Sequence, residues 1–381
     1  MSTINCPLSI AHCPLYIVMA VHFHRLKVKD VKRETPDCVS IEFAIPDSLK
    51  KEFEFAHGQN ITIRKNIDGE EIRRSYSICT APFENSLRVA VKCVDLGKFS
   101  SFANNQLQPG DELEVLPPTG KFNTSLKKGN AKQYIAFAAG SGITPVISII
   151  KTTLFTEPES KFTLVFGNRG RSSIIFFEEL EGLKNKYIDR FNFINILSRE
   201  RTDAPINFGR IDVDKLMALD RMLGYTRMDE FFICGPEEMI FCIKGFLEQR
   251  DIDKRKIHFE LFTTPGESGV GSRESGAAKN SNGNGGGPKS KITVKLDGRS
   301  FDFDLGINSD TILDAALKQG ADLPFACKGG VCCTCKAKLL EGKVEMEVNW
   351  GLEQEEIDEG YILTCQSHPV TEKVIVDFDI K

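Results

Sequence analysis

The sequence predicts a multidomain chain: an antiparallel β-barrel, an α/β domain built on a parallel sheet, and a small α+β domain. Three observations predict it. Residues 22–128 carry short runs that alternate apolar and polar side chains, separated by polar turns. Residues 129–262 switch to apolar strands alternating with helical stretches. Residues 263–290 then hold eight glycines in 28 positions and almost no large apolar side chain, after which a new pattern begins.

In the first region, His22–Val31, Val39–Ile45 and Leu87–Cys93 read as strands, and Asn66-Ile-Asp-Gly69 as a turn between two more. In the second, Tyr134–Ala138, Phe162–Phe166, Phe191–Leu197, Glu230–Cys234 and Lys256–Leu261 read as parallel strands. Pro145–Leu154 and Pro236–Gln249 read as two of the helices between them. Residues 263–290 read as a flexible linker with a root-mean-square span of roughly 30 Å. In residues 291–381, Ile292–Leu296 and Ser300–Leu305 flank the hairpin signal Asp297-Gly298, and Thr311–Gln319 reads as an amphipathic helix.

Residues 1–21 are expected to be a disordered leader, with Met19, just before the first strand-like run, as the natural start.

Composition excludes several classes. A net charge of −4 does not indicate bulk nucleic-acid binding, and no stretch approaches the ~20 apolar residues of a bilayer span. Residues 291–381 carry 10 Lys/Arg against 17 Asp/Glu, net −7, which leaves about +3 on the rest; this asymmetry fits transient docking between them and equally a surface that is acidic only for solubility. Twelve cysteines scattered over 381 residues suit a reducing cytoplasm rather than a disulfide framework.

The sharpest signal is Cys327, Cys332 and Cys335, spaced C-x4-C-x2-C, with Cys365 following after 29 intervening residues. This is the plant-type pattern of a [2Fe–2S] cluster, in which each iron takes two thiolates. Gly329 and Gly330 leave room for backbone N–H groups to turn towards the sulfurs. A structural zinc site usually presents two C-x2-C knuckles, and only one is present. Cys333 breaks the spacing and reads as a bystander.

Two further clusters suit a flavin and a nicotinamide nucleotide. In Arg74-Ser-Tyr-Ser77, Arg74 has the forked donors for a diphosphate, Tyr76 a ring to stack on an isoalloxazine, and Ser77 a hydroxyl for its N5 edge. Gly97, Lys98, Phe99 and Ser100 form a glycine turn followed by hydroxyls suited to phosphate oxygens. Together they point to FAD. After the first parallel strand, Gly140 and Gly142 let the backbone approach a pyrophosphate, with Thr144 as a cap and Pro145 at the first helical position. Asn168, Arg169, Arg171, Ser172 and Ser173 follow the second strand, where ligands sit in such sheets, and predict NADPH over NADH. Cys234, Gly235 and Pro236 end the fourth strand and can let a nicotinamide ring approach the flavin. Glu260 and Phe262 close the last strand where they can meet it. His57 and His258 read as packing or surface residues.

These residues carry a resemblance. Residues 22–262 resemble the ferredoxin–NADP reductase superfamily, and the order barrel, nucleotide domain, ferredoxin is similar to reductase components of bacterial multicomponent oxygenases. Four runs narrow it: Leu323–Cys335, Ile143-Thr-Pro145, Thr153–Leu164 and Gly360–Gln366 resemble the reductase-subunit family of ring-1,2-phenylacetyl-CoA epoxidases. The resemblance implies a β-grasp ferredoxin domain, one FAD, one [2Fe–2S] cluster and NADPH as donor. It implies FAD held by Arg74, Tyr76, Ser77 and Ser100, with Cys234 and Thr144 beside the flavin ring and Arg169 near the NADPH phosphate. The implied partner is a di-iron oxygenase, with the reductase of another oxygenase or a desaturase as the alternative. The linker is expected to let the ferredoxin domain visit first the flavin side and then the partner.

Overall fold

Strand and helix assignments follow side-chain periodicity closely. The computed structural model describes residues 22–262, 288–307 and 309–380. The expected leader, and residues 263–287 of the expected linker, lie outside the described residues.

The first sheet comprises β1 (His24–Thr35), β2 (Cys38–Ala44), β3 (Asn60–Ile67), β4 (Glu70–Ser77), β5 (Leu87–Lys92) and β6 (Glu112–Val115), in the order β4-β3-β6-β1-β2-β5. All its pairings are antiparallel, and a bridge between Ile78 and Val89 brings its two edge strands together to close a barrel. Leu26, Ile41, Ile61, Ile63 and Val89, at alternate positions of these strands, fill its core. The β3–β4 turn places Asp68 and Gly69 at φ 52° and 82°, as a tight hairpin requires. Helix α1 (Lys98–Asn105) caps the barrel. The expected glycine turn at Gly97 is therefore the start of a helix.

The second sheet is parallel, with β7 (Gln133–Ala139), β8 (Lys161–Asn168), β9 (Phe191–Leu197), β10 (Glu230–Cys234) and β11 (Ile257–Glu260) in the order β11-β10-β7-β8-β9. Four helices cover it: α2 (Ile143–Thr156), α3 (Phe177–Lys186), α4 (Val213–Leu223) and α5 (Glu237–Glu248). The period-2 geometry of β7 splits the core. Tyr134, Ala136 and Ala138 face α2 and α3, whereas Ile135 and Phe137 face α4 and α5. Helix α2 starts at Ile143, so Pro145 is its third residue rather than its first. A proline is still tolerated there, because first-turn N–H groups have no intrahelical partner.

Barrel and parallel sheet share one core: Cys38, Cys79, Ala90 and Phe122 of the barrel side pack with α2. The buried Lys151 of α2 also reaches Glu84 across the boundary at 2.8 Å and Glu179 of α3 at 2.9 Å.

The last sheet is mixed. It contains β12 (Lys289–Leu296), β13 (Arg299–Gly306), β14 (Lys336–Glu341), β16 (Tyr361–Leu363) and β18 (Lys373–Asp377), in the order β13-β12-β18-β14-β16. A small ribbon of β15 (Val344–Met346) and β17 (Ser367–Pro369) stands beside it, with α6 (Ile312–Lys318) and α7 (Gln354–Asp358). Strand β12 begins at Lys289, two residues inside the expected linker, because Pro288 and Lys289 already bond to Ile307 and Gly306. Thr311 caps α6 by accepting from Asp314 N.

Candidate redox site

The four expected ligand cysteines come together. Cys327, Cys332 and Cys335 lie on the loop before β14, and Cys365 follows β16, which pairs with β14. They form two pairs. Cys327 N donates to Cys332 Sγ at 3.5 Å, and hydrogen bonds from Cys327 and Thr334 hold the Cys332 thiol below its ordinary value against the effect of burial. Likewise Cys335, whose own thiol is raised, lowers Cys365 by a hydrogen bond. Among the described residues no three metal-ligating side chains converge on one point. Two thiol pairs fit a two-iron cluster, with two thiolates per iron, better than one zinc ion.

Gly329 N points at Cys327 Sγ across 3.3 Å, and the Gly330 backbone donates to Cys365, as the two glycines led one to expect. Cys333 turns away, its thiol donating to Gly351 O, and burial pushes it up to about 12.

The residues read as flanking a flavin and nicotinamide also meet. Ser77, at the end of β4, donates from Oγ to Glu260 Oε2 at 3.0 Å. Glu260 is in register with Cys234 on the neighbouring strand. Glu260 is half-buried, and loss of hydration raises its carboxyl to about 7 against hydrogen bonds from Ser77 and Asn60, with the charge of Cys332 adding to the rise. Burial also pushes the Cys234 thiol well up, and Glu260 adds to the push. Tyr76 lies 5.5 Å ring to ring from Phe99 of α1, while Lys98 pairs with Glu70, so the N-terminus of α1 sits against β4. Arg74 is exposed, its guanidinium donating to Arg73 O at 2.7 Å. The Ser100 hydroxyl accepts from Val94 N and donates to Gly97 O, both at 3.1 Å, so it locks the turn before α1. Phe262 is exposed.

Gly142 has a reason beyond phosphate approach. A Cβ there would run into Cys234 O, so the glycine lets α2 start directly against the end of β10. Gly140 adopts φ 54°, and Thr144 is not the expected cap: Gly142 holds that place, and Thr144, second residue of α2, donates back to Ser141 O at 3.0 Å. Gly235 and Pro236 lead from β10 into α5, which begins at Glu237.

At the carboxyl end of β8, Asn168 is buried, yet neither amide atom has a hydrogen-bond partner among the described residues. An orphaned amide at this end of a parallel strand fits a bound nucleotide. Arg169 and Ser172 are exposed beside it. Sequence reasoning missed the loop after β9. Ser198 N and Arg199 N donate to Asn168 O and Arg169 O, each at 2.9 Å, which brings Ser198, Arg199 and Glu200 to the same crevice. The signal available was a second polar, arginine-rich strand end. His258 stacks on Phe232 at 4.9 Å and bonds Glu230 at 2.9 Å, and His57 is buried, which agrees with packing roles.

Barrel, parallel sheet and cluster loop converge on a cavity of ≈ 230 Å³ lined by Asn60, Phe122, Glu260, Cys332 and Trp350 among others. Glu260 of the flavin-side cluster and Cys332 of the thiol pairs thus line a common space. Among the described residues no helix is long and apolar enough to cross a membrane.

Comparisons with known proteins agree with this layout. Family models match for an oxidoreductase FAD-binding domain over residues 25–124 and an oxidoreductase NAD-binding domain over 137–245. A third, for a 2Fe-2S iron-sulfur cluster binding domain, matches 294–370. The chain is 44% identical to a subunit of 1,2-phenylacetyl-CoA epoxidase from Escherichia coli (strain K12), over 94% of this chain and 98% of that protein. It is 34% identical to the 3-ketosteroid-9-alpha-monooxygenase ferredoxin reductase component of Rhodococcus rhodochrous, over 93% and 96% of the two chains. The solved structure of phthalate dioxygenase reductase shares the fold, with TM-score 0.56 and 22% identity over 93% of this chain and 98% of that one. An oxidoreductase with domains for FAD, NAD and a [2Fe–2S] cluster, the chain belongs to the family of oxygenase reductase components that includes this phenylacetyl-CoA epoxidase subunit.

Proposed function

We propose that this chain draws electrons from NADPH and delivers them, through FAD and the [2Fe–2S] cluster, to a di-iron oxygenase that epoxidises phenylacetyl-CoA. The observation that carries the relay is the placement of Glu260, bonded to Ser77, in register with Cys234 and facing the cavity that Cys332 also lines. The partner rests on 44% identity across nearly the whole of both chains.

When bound, the flavin supplies the exchange between a two-electron hydride and single electrons, and the cluster carries those electrons singly. Arg74, with the N-terminal turn of α1 at Gly97, Lys98, Phe99 and Ser100, binds the FAD diphosphate, and Tyr76 covers the ring. Ser77 and Glu260 hold a proton between them, which a carboxyl titrating at about 7 can release near neutrality. Cys234 offers a neutral, polarisable surface, and Gly140, Gly142, Thr144, Gly235 and Pro236 shape the approach for the nicotinamide. Cys327, Cys332, Cys335 and Cys365 ligate the cluster.

NADPH preference rests on Asn168, Arg169 and Ser172 together with Arg199. Glu200 stands in the same loop, but the Arg171 guanidinium lies 3.7 Å from its carboxylate, and that positive charge offsets its repulsion of a 2′-phosphate. The unpaired cysteines suit the cytoplasm as its compartment.

A second reading, service to a steroid hydroxylase, has the 34% relative in its favour. Offering the NADPH-reduced protein to each purified oxygenase tests the choice. Faster reduction of the epoxidase supports our reading, and faster reduction of the steroid hydroxylase overturns it.

A further inference from the structure

Successive residues of a strand point to opposite faces. Arg74 faces the proposed diphosphate side, so its neighbour Arg73 faces away from it, and the ferredoxin domain covers that opposite face. Arg73 is 6% exposed. Its guanidinium lies 4.0 Å from the centre of the Phe325 ring and 5.1 Å from that of Phe23. It donates to Leu323 O at 3.2 Å, to Asp322 at 3.3 Å and to Glu71 at 2.8 Å. Asp322, Leu323 and Phe325 lead directly into the cluster loop that begins at Cys327.

The same face grips the loop a second time. Arg73 is paired in register with Arg64, and Thr62 with Ser75. The Thr62 hydroxyl lies 3.1 Å from that of Ser75 and 3.2 Å from that of Thr334, which sits immediately before Cys335. Arg64 holds Glu114 through two hydrogen bonds of 3.0 and 3.2 Å and stacks on Phe23, which buttresses Arg73. One hairpin face therefore holds the cluster loop just before its first ligand and again at its third.

Asp322 is largely exposed, so its ion pair contributes little, and the holding power rests on the buried carbonyl bond and the ring. Only a planar, forked cation can serve the carbonyl, the ring and Glu71 together.

We propose that Arg73 is the positioning residue that seats the cluster loop on the barrel and so sets the geometry in which electrons pass from flavin to cluster. The proposal rests on the relay reading above. Each passage moves one electron, oxidising reduced flavin and reducing one ferric iron, with NAD(P)H as the source.

The test uses the full chain loaded with both cofactors, as wild type, Arg73→Gln, Arg73→Lys and Thr62→Val. Rapid mixing with NADPH follows flavin and cluster absorbance separately. Trp350, the only tryptophan in the sequence, packs on Phe241 of α5 and Phe259 of β11, where the ferredoxin domain meets the parallel-sheet domain, so its emission reports whether the domain as a whole is seated. For Arg73→Gln we expect unchanged flavin reduction, cluster reduction slowed about tenfold or more, a red-shifted Trp350 emission and normal cluster absorbance per chain. Arg73→Lys should fall between, and Thr62→Val should shift both readouts the same way if Arg73→Gln fails to fold. Wild-type transfer and emission in Arg73→Gln and Thr62→Val would overturn the proposal. So would loss of cluster absorbance from Arg73→Gln and Arg73→Lys, which would make Arg73 a support for cluster assembly. If wild type itself never reduces its cluster with NADPH, the relay reading falls, and the emission comparison still decides the seat.

Discussion

Ser77 and Glu260 join the barrel to the last strand of the parallel sheet through one hydrogen bond of 3.0 Å, from Oγ to Oε2. That contact holds a half-buried carboxyl where three domains meet, and its titration gives the first prediction.

Glu260 titrates at about 7 in the folded chain, against an ordinary value of 4.5, because burial disfavours its charge. The folded state therefore holds this proton more tightly than the unfolded state. Stability falls as pH rises through the interval between those two values, by at most ~1.4 kcal/mol per pH unit. Melting curves from pH 4 to 8 should show that slope, and Glu260→Gln should flatten it. An unchanged slope in the variant would assign the pH dependence to other groups.

A Cβ at position 142 would meet the Cys234 carbonyl, which belongs to the backbone and cannot swing aside. Gly142→Ala should lower stability by about 1–3 kcal/mol and slow NADPH-driven flavin reduction. Denaturant unfolding and stopped-flow absorbance measure the two effects. A variant as stable as wild type would mean that α2 shifts without strain.

Burial disfavours the charge of Lys151, and the carboxylates of Glu179 and Glu84 outweigh that cost by Coulombic attraction. Lys151→Met leaves two carboxylates without their partner. Both carboxylates are about a third exposed and can be partly hydrated, so the variant should destabilise the junction of barrel and parallel sheet by roughly 1–3 kcal/mol, read as a lower denaturant midpoint. A change below ~1 kcal/mol would class the triad with surface ion pairs.

Arg169→Ala and Arg199→Ala should each raise KM for NADPH about tenfold and leave KM for NADH nearly unchanged, since only NADPH carries a 2′-phosphate. Steady-state kinetics with both nucleotides decide it. Catalytic efficiency with NADH equal to or above that with NADPH in the wild type would refute the preference.

Much of this was legible in the sequence where periodicity or spacing is local. The strand Phe191–Leu197 and the helix at Glu237–Glu248 follow from apolar pattern, and the meeting of four cysteines in two pairs from their intervals. Helix α1 escaped notice because its eight residues follow a glycine and carry no long apolar stripe. The role of Arg73 was also hidden. It stands beside Arg74 with the same chemistry, and only the strand's alternation and the covering domain separate their surroundings. The packing role of Gly142 was hidden because its close approach to Cys234 spans 92 positions of sequence. Ser198 and Arg199 were missed because their place beside Asn168 and Arg169 depends on the pairing of β8 with β9.

The most direct test of the whole relay is oxygen-dependent epoxidation of phenylacetyl-CoA by the oxygenase core supplied with NADPH and this protein. We predict product that depends on the chain and stops with Cys335→Ser, while NADPH-driven dye reduction by that variant's flavin persists. Epoxide formed at the wild-type rate by Cys335→Ser, or dye reduction by wild type with no epoxide at all, would contradict the account.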